Sequence, residues 1–137
     1  MSILCKNIYD ILIKTKLQFI YKNIYHHYNI QLNYIDFILF TPNFNICITL
    51  NKNIKYFIDE SNLISQQLQK KCICLNLNMF KLTYNEEKLL IDENIKNINY
   101  FIYITGNDNK LIKNLLRNLY YMNIFCYDIS DDCIMIE

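Results

Sequence analysis

The sequence predicts an α/β fold, with a mixed sheet that contains two βαβ-like units and a long N-terminal helix. Apolar, β-favouring runs alternate with segments in which apolar residues recur at helical spacing, which is the pattern of an α/β domain. Hydrophobic residues make up 53% of the chain, so it has enough apolar surface for a core. A length of 137 residues is typical of one domain, and we predict that residues 1–137 form a single unit.

Residues 100–129 give the clearest pattern, which is strand, helix, strand. Residues 100–105 are continuously apolar and β-favouring, and Gly106, the only glycine of the chain, ends the run. Asn107 or Asp108 can cap a helix over residues 109–122, in which apolar and charged side chains fall on opposite faces. Asn123 tolerates the left-handed conformation that ends a helix, and residues 124–129 supply a second strand. The two strands should be parallel.

The remaining elements are predicted from shorter patterns. Residues 3–28 have a wide apolar stripe and predict the long helix, while residues 34–40 and 46–50 predict a hairpin. A first βαβ-like unit is predicted over residues 54–77, with a strand at 54–59, a helix that Ser61 caps, and a strand at 72–77. Residues 80–84 and 89–91 are predicted as short strands, 85–88 as a turn and 92–99 as a polar connection. The tail, 131–137, is predicted as a last strand.

The composition indicates the type of genome and limits the function. Isoleucine occurs 25 times and asparagine 20 times, whereas alanine, valine and tryptophan are absent, which indicates an A+T-rich gene. The formal net charge of +1 gives no overall field that would hold a nucleic-acid backbone or an anionic membrane. No apolar run is long enough to cross a membrane, and the N-terminus lacks the features of a secretory signal. We therefore expect an intracellular protein, cytoplasmic or organellar, with free cysteines.

Three acidic residues are the candidate catalytic groups. Asp59, Asp108 and Asp128 each follow a predicted strand, and ligands of open α/β sheets bind at the carboxyl ends of the strands. Converging carboxylates could hold Mg²⁺ and position a water molecule for phosphodiester cleavage. The alternative explanation is structural, since Asp108 also suits a helix cap and Asp128 a charged strand end.

Two short motifs support the catalytic hypothesis. Tyr56-Phe57-Ile58-Asp59-Glu60-Ser61-Asn62-Leu63 resembles the strand-Asp-x-Ser-Asn opening of NYN/PIN-type ribonuclease domains, and Ile104-Thr105-Gly106-Asn107-Asp108-Asn109 resembles the later Ser-Gly-Asp-x-Asp turn of that family. Asn107 and Asn109 stand where the family has its two acids. The resemblance implies a small Mg²⁺-dependent ribonuclease or a degenerate relative of one.

The cysteines and aromatic residues support further alternatives. Cys72 and Cys74 share one face of a strand, and Cys126, Cys133, His26 and His27 could complete a zinc site, although buried thiols explain the cysteines more simply. Aromatic residues on the strands could stack the bases of single-stranded nucleic acid or could fill the core; they are Tyr34, Phe37, Tyr56, Tyr84, Tyr100 and Tyr103.

The function expected first is that of a non-catalytic subunit or adaptor that docks on a larger assembly. The chain has an incomplete set of catalytic residues, a low net charge, and many apolar and aromatic residues available for contact with a protein. The assembly could be a transcription, replication or translation machine. No cofactor is predicted, apart from Mg²⁺ under the ribonuclease alternative, and a single-stranded nucleic-acid-binding module is the third possibility.

Overall fold

A five-stranded mixed sheet with helices on both faces forms the described part of the protein, which is residues 2–22 and 34–124 of a computed structural model. The elements in chain order are α1 (Ile3–Lys14), β1 (Phe19–Tyr21), β2 (Phe37–Phe40), β3 (Asn45–Leu50), α2 (Ile54–Leu68), β4 (Cys72–Asn78), α3 (Tyr84–Lys96), β5 (Tyr100–Thr105) and α4 (Asp108–Tyr121).

The strands lie in their sequence order, β1-β2-β3-β4-β5. The β1–β2 and β2–β3 pairs are antiparallel, as the predicted hairpin requires, whereas the β3–β4 and β4–β5 pairs are parallel. Because β3, β4 and β5 run in the same direction, their carboxyl ends at Leu50, Asn78 and Thr105 lie along one edge of the sheet. We call this the carboxyl edge.

Two apolar clusters cover the two faces of the sheet. On one face, residues of α1 and α4, such as Leu12 and Leu115, pack against the sheet residues Ile48 and Leu75. On the other face, α2 supplies the buried helical residues of the cluster, among them Phe57 packed near Phe101, while α3 contributes only partly buried leucines. The result is a three-layer arrangement, and the predicted α/β class is confirmed.

Within the described residues two βαβ units are present, and neither coincides with the unit that the sequence predicted over residues 54–77, because residues 54–59 are helical. They are β3-α2-β4 and β4-α3-β5. Of the unit predicted over residues 100–129, the first strand and the helix are present as β5 and α4, whereas residues 125–129 lie outside the described part of the chain, so the second strand stays a prediction. The tail strand predicted at 131–137 also lies outside the described residues.

The N-terminal helix is shorter than predicted. It ends at Lys14 rather than near residue 28, because the Thr15 hydroxyl donates a hydrogen bond to the Leu12 carbonyl and Lys16 adopts a left-handed conformation with φ of 61°. The chain then enters β1, which pairs with β2. Residues 23–28 of the predicted helix lie outside the described residues.

The strand predicted at residues 54–59 is wrong, because those residues form the first part of α2. Asn53 caps this helix, since its side-chain oxygen accepts a hydrogen bond from the Lys55 N–H at 2.9 Å. The buried positions of α2 recur at helical spacing but include two serines, Ser61 and Ser65, so the apolar pattern was interrupted. The β-favouring composition of residues 56–58 therefore predicted the wrong secondary structure, and Ser61 lies inside the helix instead of capping it.

The strands predicted at 80–84 and 89–91 and the turn predicted at 85–88 are also wrong, and the predicted connection at 92–99 is reduced to residues 97–99. Residues from Tyr84 to Lys96 form α3, and Thr83 caps it in a reciprocal arrangement: the Thr83 hydroxyl accepts a hydrogen bond from the Glu86 N–H, and the Glu86 carboxylate accepts one from the Thr83 N–H. The Thr83-x-x-Glu86 spacing was visible in the sequence and is the signal that could have revealed this helix.

The prediction for β5 and α4 is confirmed. Gly106 has φ of 151°, and a Cβ atom there would lie 2.8 Å from the Cβ of Lys110, so this turn requires glycine. Asn107 is the cap and accepts a hydrogen bond from the Lys110 N–H at 3.0 Å. Asn123 takes the expected left-handed conformation after the helix.

Candidate functional site

A small cleft opens at the carboxyl edge, where open α/β sheets bind ligands. It has a volume of about 200 Å³ and lies between the loop after β3 and the loop after β4. Two lysines and two aromatic residues are among its lining residues: Lys52, Lys81, Phe80 and Tyr103. The sequence predicted the edge as the site but did not single out the first three of these residues, although Asn51-Lys52-Asn53 was recognisable as a turn.

Side-chain amides hold the floor of the cleft in place. The Nδ2 atoms of Asn76 and Asn78 both donate to the Lys52 carbonyl, at 3.0 and 3.2 Å. The Asn51 side chain accepts a hydrogen bond from the Met79 N–H at 3.0 Å, which connects the loop after β3 to the loop after β4. The Tyr103 hydroxyl donates to the Phe80 carbonyl. Since backbone groups of both loops are fixed, the cleft is a preformed feature of the fold.

The chemistry of the cleft suits an anionic, planar ligand. Lys52 and Lys81 bring two positive charges, and Phe80 is 69% exposed, so its ring is available for stacking. Glu86 also lines the cleft, but its carboxylate is engaged in the cap of α3. Burial raises the pKa of the Tyr103 hydroxyl, with a smaller contribution from the negative charge of Glu86, so the tyrosine stays protonated and can donate.

The structure does not place the predicted acids in this cleft. Asp59 lies on the exposed side of α2, within the helix and not at the end of a strand, because residues 54–59 are helical. Asp108 does follow a strand, as predicted, and is the exposed first residue of α4. The two residues belong to helices on opposite faces of the sheet. Asp128 lies outside the described residues.

The resemblance to NYN/PIN-type domains is only partly matched by the structure. The segment that resembled the strand-Asp opening is helical, with Ser61 buried in it and Asp59 exposed. The later motif does form a turn between a strand and a helix, as the resemblance implies. Within residues 2–22 and 34–124, no three acidic, histidine or cysteine side chains are arranged to hold a metal ion.

Three thiols lie together beneath α2. Cys47 and Cys74 are direct partners across the parallel strands β3 and β4, and Cys72 lies two residues earlier on the same face of β4. All three are fully buried and free, as predicted for the cysteines, and the fourth described cysteine, Cys5, is free and buried elsewhere. The other residues of the zinc alternative, Cys126, Cys133, His26 and His27, lie outside the described part of the chain.

The three thiols differ in acidity. Hydrogen bonding to the neighbouring sulfurs raises the pKa of Cys47, and burial raises the pKa of Cys74. Hydrogen bonds from Cys47 and Cys74 lower the pKa of Cys72, which is therefore the most acidic of the three. The three thiols under α2 are therefore buried polar groups that solvent does not reach.

The outer side of α3 carries a row of exposed apolar side chains. Tyr84, Ile91 and Ile95 are 80%, 53% and 78% exposed, and they recur at helical spacing with Lys88 between them. Ile98, just beyond the helix, is 74% exposed. We call Tyr84, Lys88, Ile91 and Ile95 the α3 stripe.

The aromatic residues predicted to stack bases do not form one surface. Phe37 is fully buried, and Tyr34 stacks on Tyr56 with ring centroids 4.7 Å apart. Tyr103 lines the cleft on one face of the sheet, whereas Tyr100, three residues earlier on β5, alternates toward the other face. An exposed ring that does line the cleft is that of Phe80, which the sequence did not single out.

The fold and these surfaces define the class of the protein, a three-layer α/β domain. No known protein family matches the sequence, and no curated protein matches it. Among the described residues, none of the helices has the length and apolar character needed to span a bilayer.

Proposed function

We propose that the protein is a non-catalytic intracellular subunit that docks on a larger protein assembly, and that it docks through the α3 stripe. The single observation behind this proposal is the inverted burial of α3. No residue of this helix is fully buried, whereas three of its large apolar and aromatic side chains face solvent.

Single exposed apolar residues are ordinary on protein surfaces, but a row of them at helical spacing is not. A helix of 13 residues is marginally stable alone in water and depends on packing of an apolar face. The inner side of α3 supplies only the partly buried Leu89 and Leu90. A partner that covers the α3 stripe would complete the packing that the sheet supplies to the other helices.

An apolar row on a helix is suited to pairing with another helix. Such grooves and stripes are recognised through residues at i, i+3, i+4 and i+7, which is the spacing from Tyr84 through Lys88 and Ile91 to Ile95. Lys88 within the row favours a partner with a carboxylate at the facing position. The assembly we propose is a transcription, replication or translation machine. Such machines contain nucleic acid, whose negative charge would attract the two lysines of the neighbouring cleft.

The test compares Ile95→Lys with Leu63→Lys, a matched change at an exposed leucine on α2. The protein is purified with its native assembly, its mass is measured under native conditions, and lysine-reactive cross-links are mapped. We expect Ile95→Lys to remove the assembly together with cross-links from Lys88 and Lys96, while Leu63→Lys keeps both. Equal behaviour of the two variants, or cross-links confined to Lys113 on α4, would contradict the proposal.

The second candidate is a single-stranded nucleic-acid-binding module that uses the cleft. The supporting observation is the combination of Lys52, Lys81 and the exposed ring of Phe80 around one opening. Binding of fluorescent oligonucleotides should then weaken with salt, and both Lys52→Gln and Phe80→Leu should weaken it further. Lys113→Gln on α4 is the control. Binding that none of these changes reduces would argue against the cleft.

A further inference from the structure

We infer that the partner on the α3 stripe is a second copy of this chain, packed antiparallel about a two-fold axis that passes near Ile91. This inference rests on the proposed docking role of the stripe and deepens it: the protein belongs to the larger assembly as a pair, and the second copy is the part of that assembly that covers the stripe. It follows from the spacing of the stripe, from the position of its one charge, and from the area that two copies bring together.

The spacing matches a self-complementary pair. Tyr84, Lys88, Ile91 and Ile95 are separated by four, three and four residues, which is the alternation of a two-helix interface. In an antiparallel pair centred near Ile91, Lys88 of one copy faces Ile95 of the other, and Ile91 lies beside its own counterpart. Each copy therefore offers the same patch, as a two-fold interface requires.

The charges distinguish this orientation from a parallel one. Asp92 is exposed beside the stripe, one turn after Lys88. A parallel pair would place the two Lys88 side chains next to each other within the interface, which is unfavourable for buried like charges. In the antiparallel pair the two Lys88 side chains lie about 10 Å apart along the helix axis, and the two Asp92 carboxylates near the two-fold axis lie between them, each about one turn from a lysine of either copy. The two helix dipoles also oppose each other, which is favourable.

The exposed apolar area suits a reversible contact between two copies. A covered tyrosine ring contributes ~150–250 Å², and Ile91, Ile95 and Ile98 add their exposed surface to that of Tyr84 in each copy. Two copies together approach the ~1,000 Å² that a specific interface requires. The patch on Met79 and Phe80, in the loop before α3, stays outside the row and remains free for other contacts.

Disulfide trapping tests the orientation. All variants are made in a chain in which Cys126 and Cys133 are replaced by serine, and the four described cysteines are buried. Three variants are then oxidised: Lys88→Cys, Ile91→Cys and Ile95→Cys. We expect Ile91→Cys to form a covalent dimer by itself, since the axis passes near it. Lys88→Cys and Ile95→Cys should do so only when mixed, because like positions lie about 10 Å apart along the helix axis and a disulfide spans Cα atoms about 4.4–6.8 Å apart.

Sedimentation of the full chain over a concentration series gives the second measurement. We expect a reversible dimer whose midpoint shifts at least tenfold to higher concentration in Ile95→Lys and not in Leu63→Lys. Circular dichroism confirms that each variant is folded.

The possible results separate this inference from the proposed function. Covalent dimers of Lys88→Cys alone and of Ile95→Cys alone would indicate a parallel pair and overturn the antiparallel arrangement. A chain that stays monomeric at every concentration overturns the second copy as partner; if Ile95→Lys then still removes a larger assembly, the docking role remains. A monomeric chain whose assembly is unaffected by Ile95→Lys overturns both.

Discussion

The helices α2 and α3 each connect two parallel strands on the same face of the sheet, yet they are packed in opposite ways. Seven residues of α2 are buried, including Phe57 and Glu60, whereas none of α3 is. The Glu60 carboxylate accepts hydrogen bonds from the Tyr34 and Ile35 N–H groups, at 2.9 and 2.8 Å, so α2 is also anchored to the segment before β2. In contrast, α3 directs Tyr84, Ile91 and Ile95 outward.

This difference indicates that the two helices contribute differently to the protein. Burial of α2 supplies much of the free energy of folding on its face of the sheet, since apolar area removed from water is the main favourable contribution. The outer side of α3 contributes little to the isolated fold and is available for recognition. Substitutions in and around the two helices test this contrast, beginning with the change that should have the largest effect.

Phe57→Ala should have the largest effect. Phe57 is fully buried and its ring lies edge-to-face on Phe101, with centroids 5.7 Å apart. Its truncation should lower the free energy of unfolding by ~3–5 kcal/mol, through lost burial and the cavity it leaves. Ile95→Ala, the matched change on α3, should alter stability by no more than ~0.5 kcal/mol in dilute solution. Urea denaturation of both variants measures the contrast, and equal losses would refute it.

Asn94→Ala should remove the main polar attachment of α3. The Asn94 side chain accepts a hydrogen bond from the Phe101 N–H at 2.7 Å and donates one to the Phe101 carbonyl at 2.9 Å, so it satisfies both backbone groups of this β5 residue. Loss of the Asn94 side-chain amide should lower the free energy of unfolding by ~1–3 kcal/mol, because Phe101 is buried and its backbone groups lose their partner. Hydrogen exchange of the Phe101 amide should accelerate. Asn85→Ala, at an exposed position on α3, is the control and should leave that exchange unchanged.

Thr83→Ala should loosen α3 without affecting α2. Removal of the hydroxyl disrupts the reciprocal cap with Glu86, at a cost of ~0.5–2 kcal/mol. Because α3 has no buried residue to hold it, we expect the loss to appear as faster local hydrogen exchange along this helix. Asn53→Ala removes the cap of α2 and should leave exchange in the middle of that helix unchanged. If protection from hydrogen exchange falls equally in α3 of Thr83→Ala and in α2 of Asn53→Ala, α3 is packed as firmly as α2.

Asp36→Asn should have the smallest effect, and one that depends on pH. Burial raises the pKa of the Asp36 carboxyl, although the hydrogen bond that it accepts from the Leu50 N–H at 2.9 Å opposes this. The stabilising contribution of the protonated form is present below the ordinary aspartate pKa of about 4 and is lost as the pH rises through the raised pKa.

An asparagine at position 36 keeps an oxygen for the Leu50 N–H but cannot ionise. We therefore expect the variant to be more stable than the natural protein near neutral pH, with a difference that closes as the pH falls toward about 4. Urea denaturation across this range measures the difference. A stability difference that widens as the pH falls would show that the ionised carboxylate is the favoured form of Asp36.

Prediction from the sequence succeeded where local signals agreed. The hairpin of β2 and β3, strands β4 and β5, and α4 with its Asn107 cap and Gly106 turn were all predicted, since composition, periodicity and turn residues coincided there. The prediction failed at α2 and α3. In α2, Ser61 and Ser65 interrupt the apolar period; in α3, the apolar residues lie on both sides of the helix, so no single face could be recognised.

The candidate site was predicted less completely than the fold. The carboxyl edge could be anticipated from the parallel strands, but the cleft depends on Lys52 and Lys81, which are brought together from separate loops. The position of Asp59 depended on whether its segment was strand or helix, so that one error moved the residue from the edge to the exposed side of α2. The α3 stripe was invisible while residues 84–96 were divided among a strand, a turn and a connection.

By itself, the sequence determined the α/β class, the buried free state of the described thiols, and those elements in which composition, periodicity and turn residues agree. These signals come from residues a few positions apart. Only the tertiary structure decided the strand order, the choice of βαβ units and the separation of Asp59 from Asp108. It also decided that α2 is covered while the α3 stripe is not. Burial is set by residues that are distant in sequence, as Phe101 is for Phe57, and a local pattern contains no information about which distant residue arrives to cover it.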